Sequence, residues 1–201
     1  MARIAVDVVL LPSEEMMDKA IEVNRELVKG FGERIILNKE NCLPHISLAM
    51  GCIEEKDIPD IEKILQTVAK QYSFGQLRII DIHSGTSSAG GTVSTFEIEK
   101  TNKLQLLHET VMEKLASYFS YDVNADMLFS PSEVKESSLL WIKNYPEKAS
   151  FESFFPHITI GFGEINYIEL PITFSARKLA LCHLGNHCTC RRILASAELK
   201  S

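Results

Sequence analysis

The sequence predicts an α+β fold in one domain spanning residues 1–201, and three observations predict it. β-rich apolar stretches alternate with amphipathic helical stretches along the chain. No low-complexity tract or flexible linker divides it. One octapeptide pattern occurs twice, at residues 44–51 and 156–163, with strand, helix and strand roughly in that order around each copy.

Residues 3–11 are apolar at most positions and predict a buried strand, which Pro12 ends. Ser13 followed by Glu14 and Glu15 predicts a helix start, with an N-cap and an acidic first turn. That helix runs to about residue 28, and Gly30 and Gly32 close it. Residues 35–37 form a short strand, 41–44 a turn, and 45–50 a strand ending at Gly51. Ile58, Ile61, Ile64, Leu65 and Val68 share one face of a helix over about 57–72. A strand follows at 76–83, a Ser- and Gly-rich loop at 84–91, and an alternating strand at 92–99. Leu104, Leu107, Val111, Leu115 and Tyr118 mark one face of a helix over 104–118. Residues 121–150 are the least regular. They carry Pro131, Pro146 and several Ser, and predict a long loop with one short strand or helix near 138–143. Residues 156–163 are a strand, and 174–184 and 191–199 are two strands joined at Gly185–Asn186.

Bulk properties bound the function. The 201 residues are 45% hydrophobic and 24% charged, enough for a sizeable core. No run of about 18 apolar residues is present to span a membrane. The apolar start is broken by Asp7 and lacks a small-residue cleavage site, so it does not read as a signal peptide, and a cytoplasmic location is expected. Five unevenly spaced cysteines do not make a secreted disulfide framework, and reduced thiols are expected. A net charge of −6 and a pI of about 5.6 argue against a protein that grips long nucleic acid. A pocket for one phosphate remains open, because it needs only a few local donors.

The repeated octapeptides carry the chemistry. Both read Pro-His-Ile-hydroxyl-aliphatic and then turn at Gly: Pro44-His45-Ile46-Ser47-Leu48 and Pro156-His157-Ile158-Thr159-Ile160. Alternate residues of a strand share a face. His45 and Ser47 therefore point one way and Ile46 and Leu48 the other, and His157 and Thr159 stand in the same relation to Ile158 and Ile160. If the two strands lie side by side about a pseudo-twofold, two imidazoles and two hydroxyls line one cleft. One neutral imidazole can take a proton from a nucleophile while the other, protonated, gives one to the leaving alkoxide. The hydroxyls can donate to non-bridging phosphate oxygens. This proton traffic requires no metal and no cofactor.

On these motifs the sequence resembles the two-histidine (2H) phosphoesterases, which include the RNA 2′,3′-cyclic phosphodiesterases, also called 2′-5′ RNA ligase-like proteins. The resemblance covers nearly the whole chain and is weakest at 121–150. It implies, together with the pattern, a bilobed fold: two similar antiparallel-sheet lobes with outer helices and a central cleft. It also implies that His45 and His157 act as acid and base and that Ser47 and Thr159 hold the phosphate. The implied reaction is hydrolysis of a cyclic (2′,3′-type) or 2′-5′ phosphodiester in an RNA end or small nucleotide. A module of the same fold that binds nucleotide without turnover is the alternative.

Other residues have a functional reading and a plainer one. His83, at the end of a strand, is a candidate substrate contact or a solvated strand end. Trp141 and Tyr145 could stack on a base or pack the irregular segment, and Phe162 is comparable. His108 reads as a helix-face residue. Cys182, His183, His187, Cys188 and Cys190 invite a zinc reading, but their spacing matches no usual ligand pattern, and packing across a hairpin is the simpler expectation.

Overall fold

The computed structural model describes residues 2–32, 34–86, 90–131, 134–165 and 168–200. Within them the strands are β1 (Arg3–Pro12), β2 (Ile46–Glu54), β3 (Leu77–Thr86), β4 (Thr92–Ile98), β5 (His157–Phe162), β6 (Ile172–Phe174), β7 (Ala176–Leu184) and β8 (Cys190–Glu198). The α-helices are α1 (Glu14–Phe31), α2 (Ile58–Ala69), α3 (Asn102–Leu115) and α4 (Glu136–Lys148). The strands form an eight-stranded sheet in the order β6-β3-β4-β5-β2-β1-β7-β8, antiparallel throughout. It divides into two lobes of four strands, β2-β1-β7-β8 and β6-β3-β4-β5. They meet at β2 and β5 through one register pair, Ile46 opposite Ile158. The predicted α+β architecture of two similar antiparallel lobes is what the chain adopts.

Each motif strand carries the same irregularity. Opposite β1 the register passes from Ala49 to Ser47, skipping Leu48, and opposite β4 it passes from Gly161 to Thr159, skipping Ile160. These β-bulges sit on the fourth residue of each His-Ile-hydroxyl-aliphatic motif. A bulge turns the neighbouring side chains and leaves backbone groups outside the ladder. Leu48 and Ile160 are fully buried, so their carbonyls need a donor from elsewhere. Asn24 on α1 donates to Ile160 O at 2.7 Å, and His108 on α3 bonds Leu48 O through Nδ1 at 2.6 Å. Helix α1 follows a strand of one lobe and caps the bulge of the other, and α3 does the reverse. The exchange braces a seam that has almost no ladder of its own.

His108 is more than a helix-face residue. Its Nε2 accepts from the Phe151 amide at 2.7 Å, which leaves the ring proton on Nδ1 for Leu48 O. The ring lies parallel on Phe154 at 4.1 Å.

Several element boundaries differ from expectation. Residues 35–37 are not a strand, because Asn24 takes the place of a neighbouring strand: it donates to Ile35 O and accepts from Leu37 N, both at 2.9 Å. Helix α1 continues through Gly30 and is closed by Gly32, whose φ of 92° favours glycine. Strand β2 does not stop at Gly51; a Cβ there would lie 2.9 Å from the Phe119 ring, so glycine lets that ring close on a strand that runs on. Strand β3 extends to Thr86 into the expected loop, while residues 87–89 of that loop lie outside the described residues. The segment 121–150 contains a full helix, α4. Its inner face is Ser138, Ile142 and Tyr145, and Pro146 lies in its last turn. A serine on the buried face hides the helical period from a hydrophobicity reading. Cys182 and Cys190 are not reduced thiols but a disulfide with Cα atoms 5.5 Å apart. Register slips in the β7–β8 pairing bring them together, which spacing alone does not reveal.

Replacing Asn24 by Ala removes three buried hydrogen bonds at once. It should cost at least about 3 kcal/mol, since each of the three orphaned buried groups is worth roughly 1–3 kcal/mol. Denaturant unfolding of Asn24→Ala against wild type measures this.

Candidate active site at the seam of the sheet

Extending the antiparallel register of Ile46 and Ile158 by one residue each way sets His45 opposite Thr159 and Ser47 opposite His157. Imidazoles and hydroxyls then alternate around a pseudo-twofold axis, while both isoleucines are fully buried behind them. All four side chains line one cavity of about 490 Å³.

The two rings are held alike. His45 Nδ1 lies 2.7 Å from Leu43 O, and His157 Nδ1 lies 2.7 Å from Phe155 O. A carbonyl only accepts, so Nδ1 carries the proton in each neutral ring and the Nε2 lone pair is free. In both motifs the acceptor is the residue before the proline. Burial holds both imidazoles below the ordinary histidine range. His45 is lowered to about 4, the His157 charge across the seam pushing the same way, and His157 feels His83 likewise.

The other sequence candidates sort around this centre. Tyr145 and Phe162 are buried at the cavity wall, and Trp141, 40% exposed, stands at the mouth. His83 is exposed and packs edge-on to Phe155 at 5.8 Å, so it faces His157 across that ring and not the cavity directly. The Cys182–Cys190 group is dispersed. Two of its thiols are bonded to each other, His183 Nε2 bonds Met127 O at 3.0 Å, and His187 and Cys188 line the cavity separately. Among the described residues no group of three or more His, Cys, Asp or Glu is placed to hold a metal ion.

One residue of the site was missed from the sequence. Asp7, in the middle of the apolar strand β1, is completely buried, and Ser47 Oγ donates to its Oδ2 at 2.6 Å. Its Oδ2 is also 3.9 Å from His45 Nε2, too far for a hydrogen bond. Its other oxygen, Oδ1, has no hydrogen-bond partner among the described residues. Burial raises the carboxyl to about 8, against the pull of the Ser47 hydroxyl and the Ala49 amide. The available signal was a lone carboxylate interrupting an otherwise apolar strand, a residue rarely buried without a reason.

A two-lobed antiparallel sheet in this strand order, with helices packed on it, defines the class of fold. Among solved structures, E. coli LigT in apo form shares it with a TM-score of 0.51 and 13% identity, each chain covered over 100% of its length. LigT complexed with 3′-AMP gives 0.52 and 14%, again over 100% of both chains. TT0787 of Thermus thermophilus gives 0.53 and 16% over 98% of both. The chain therefore has the LigT fold over its full length. No family model and no curated protein matches the sequence. No helix among the described residues is long and apolar enough to cross a membrane.

Asp7 and His45 shift in opposite senses, and so do their contributions to stability. The fold favours protonated Asp7, so that contribution is complete below its ordinary value of 3.8 and is lost as pH rises towards 8. The fold favours neutral His45, so that contribution is complete above 6.5 and is lost as pH falls towards 4. Asp7→Asn removes the first alone. Its Tm should exceed that of wild type at about pH 8, and the gap should close on approach to about pH 4, as followed by circular dichroism.

Proposed function

We propose that this protein is a phosphodiesterase of the two-histidine phosphoesterase superfamily. It hydrolyses a cyclic, 2′,3′-type, or 2′-5′ phosphodiester in an RNA end or small nucleotide, and works in the cytoplasm. The observation that carries the reading is the seam: two motifs far apart in sequence present equivalent Nε2 atoms and hydroxyls to one cavity. The likeness of fold to LigT, crystallised with 3′-AMP, supports a nucleotide as ligand.

The chemistry follows from the donors present. The described residues lining the cavity include no Lys, Arg, Asp or Glu. Among these lining residues the groups that can take a positive charge are the imidazoles of His45, His157 and His187. The His45 and His157 rings are neutral in the free protein at neutral pH, and a bound anion favours protonation of one of them. That ring protonates the leaving alkoxide; the other takes the proton of the attacking water. Ser47 and Thr159 donate to the non-bridging oxygens, where charge is held in the transition state. The aromatic wall from Tyr145, Trp141 and Phe162 suits the flat face of a base. A cyclic phosphodiester carries one charge, which this wall tolerates better than a chain of phosphates.

His45→Ala and His157→Ala should each lower kcat on nucleoside 2′,3′-cyclic phosphates by about 10²-fold or more, with Tm little changed. Product formation followed chromatographically, with and without a chelator, is the measurement. Full activity in either variant would reject the roles given. Saturable binding without product in wild type would make the chain a nucleotide-binding module.

A further inference from the structure

The pseudo-twofold is broken at one place. Behind Ser47 lies Asp7, fully buried and paired in register with Met50, whereas the equivalent position on β4, paired with Phe162 beyond Thr159, is Val93, which offers no acceptor. Ser47 has one hydroxyl proton, and in this structure it goes to Asp7 Oδ2. The proposed function asks Ser47 to give that proton to a phosphate oxygen. It cannot do both. An ionised Asp7 would hold the proton and set a second negative charge beside the bound anion, in a site with no Lys or Arg among the described lining residues to offset it.

We propose that Asp7 is a positioning residue that must carry a proton when the anion is bound: the Asp7 O–H donates to Ser47 Oγ, and the Ser47 O–H turns to a non-bridging phosphate oxygen. The site thus takes up a phosphodiester anion and a proton together. When Asp7 starts ionised, one proton moves from a solvent acid to its carboxyl, forming its O–H bond, and no other covalent bond changes. The inference rests on the reading of Ser47 as a phosphate ligand.

The surroundings of Asp7 favour this state. His45 and Ser47 face it from β2, Tyr145 from α4, Cys188 from the turn after β7, and disulfide-bonded Cys182 is its register partner on β7. Burial, and then the Asp7 charge, push the Tyr145 hydroxyl and the Cys188 thiol up, so both remain neutral. Among the described residues no Lys or Arg forms an ion pair with Asp7, and its Oδ1 is unpartnered. Burial, against the pull of the Ser47 hydroxyl and the Ala49 amide, already places its titration at about 8.

The test uses adenosine 2′,3′-cyclic phosphate, whose single charge is constant through the range, and the full chain carrying His157→Ala to slow turnover. Calorimetry follows affinity from about pH 7 to about pH 9.5 in buffers of different ionisation enthalpy. Affinity should fall by up to about tenfold per pH unit above about pH 8, with proton uptake on binding. Adding Asp7→Asn supplies a permanent N–H donor, so the fall in affinity should become shallower by up to about tenfold per pH unit and the uptake smaller by up to about one proton, leaving only the uptake by the imidazole that meets the anion. Adding Asp7→Ala should weaken binding at every pH. Carbon NMR of the Asp7 carboxyl without substitution at that position gives an independent reading: its titration should move upward when ligand binds. An unchanged titration, a flat profile with Asp7 present, or an equally steep one with Asn at this position would overturn the inference. Because binding is read and not cleavage, proton-linked binding by a wild-type protein that makes no product would sink the phosphodiesterase reading alone. Absence of binding at any pH would sink both.

Discussion

Two carbonyl groups set the terms for the site. Leu48 O and Ile160 O leave the sheet ladder where each motif strand bulges, and both are buried. A buried carbonyl without a donor would cost as much as the bulge could gain. Asn24 and His108 supply the donors, each from a helix that belongs in sequence to the opposite lobe. The bulges turn Ser47 and Thr159, and the two donors make the bulges tolerable. The seam itself contributes one register pair, so its geometry is fixed from outside the sheet more than from within. A site spread over two lobes needs such bracing if it is to act as proposed, because small misplacements of reacting groups are expensive.

The electrostatics of the cavity follow one economy. No Lys, Arg, Asp or Glu stands in its described lining, and desolvation holds nearby titratable groups neutral: half-buried His45 and His157 below their ordinary range, and fully buried Asp7 behind the lining above. On the proposed function, such a site stores protonation states, and an arriving anion would decide which proton is gained. This differs from phosphate sites built on arginine forks, where charge is permanent and geometry does the selecting. Here desolvation gives the same groups their low charge and their strong response to an anion.

The repeated Pro-His-Ile-hydroxyl pattern was legible because period-two alternation states directly which side chains share a face, and the cavity contains the four residues it names. The α+β alternation was equally legible in β1, α2 and α3, whose apolar spacing is regular. Four things were hidden, each for a physical reason. Helix α4 buries a serine where the period calls for an apolar residue. Residues 35–37 have strand composition, but their hydrogen bonds go to the Asn24 carboxamide, a tertiary contact 11 to 13 residues away in sequence. Asp7 looks like a mere interruption in residues 3–11, because its partner Ser47 lies 40 residues further on. The disulfide belongs with these: proximity of Cys182 and Cys190 depends on register slips that no spacing rule encodes.

The strand order also bears on how the chain is made. Strands β1 and β2 emerge early, but β1 is flanked on its other side by β7, which follows β6 near the end of the sequence. Until β7 arrives, β1 has an open hydrogen-bonding edge and apolar side chains on both faces. The lobe of β3 to β6 is contiguous in the chain and waits for nothing later than itself. On a ribosome the nascent first lobe must therefore remain unfinished while the second assembles, with an aggregation-prone edge exposed for most of translation.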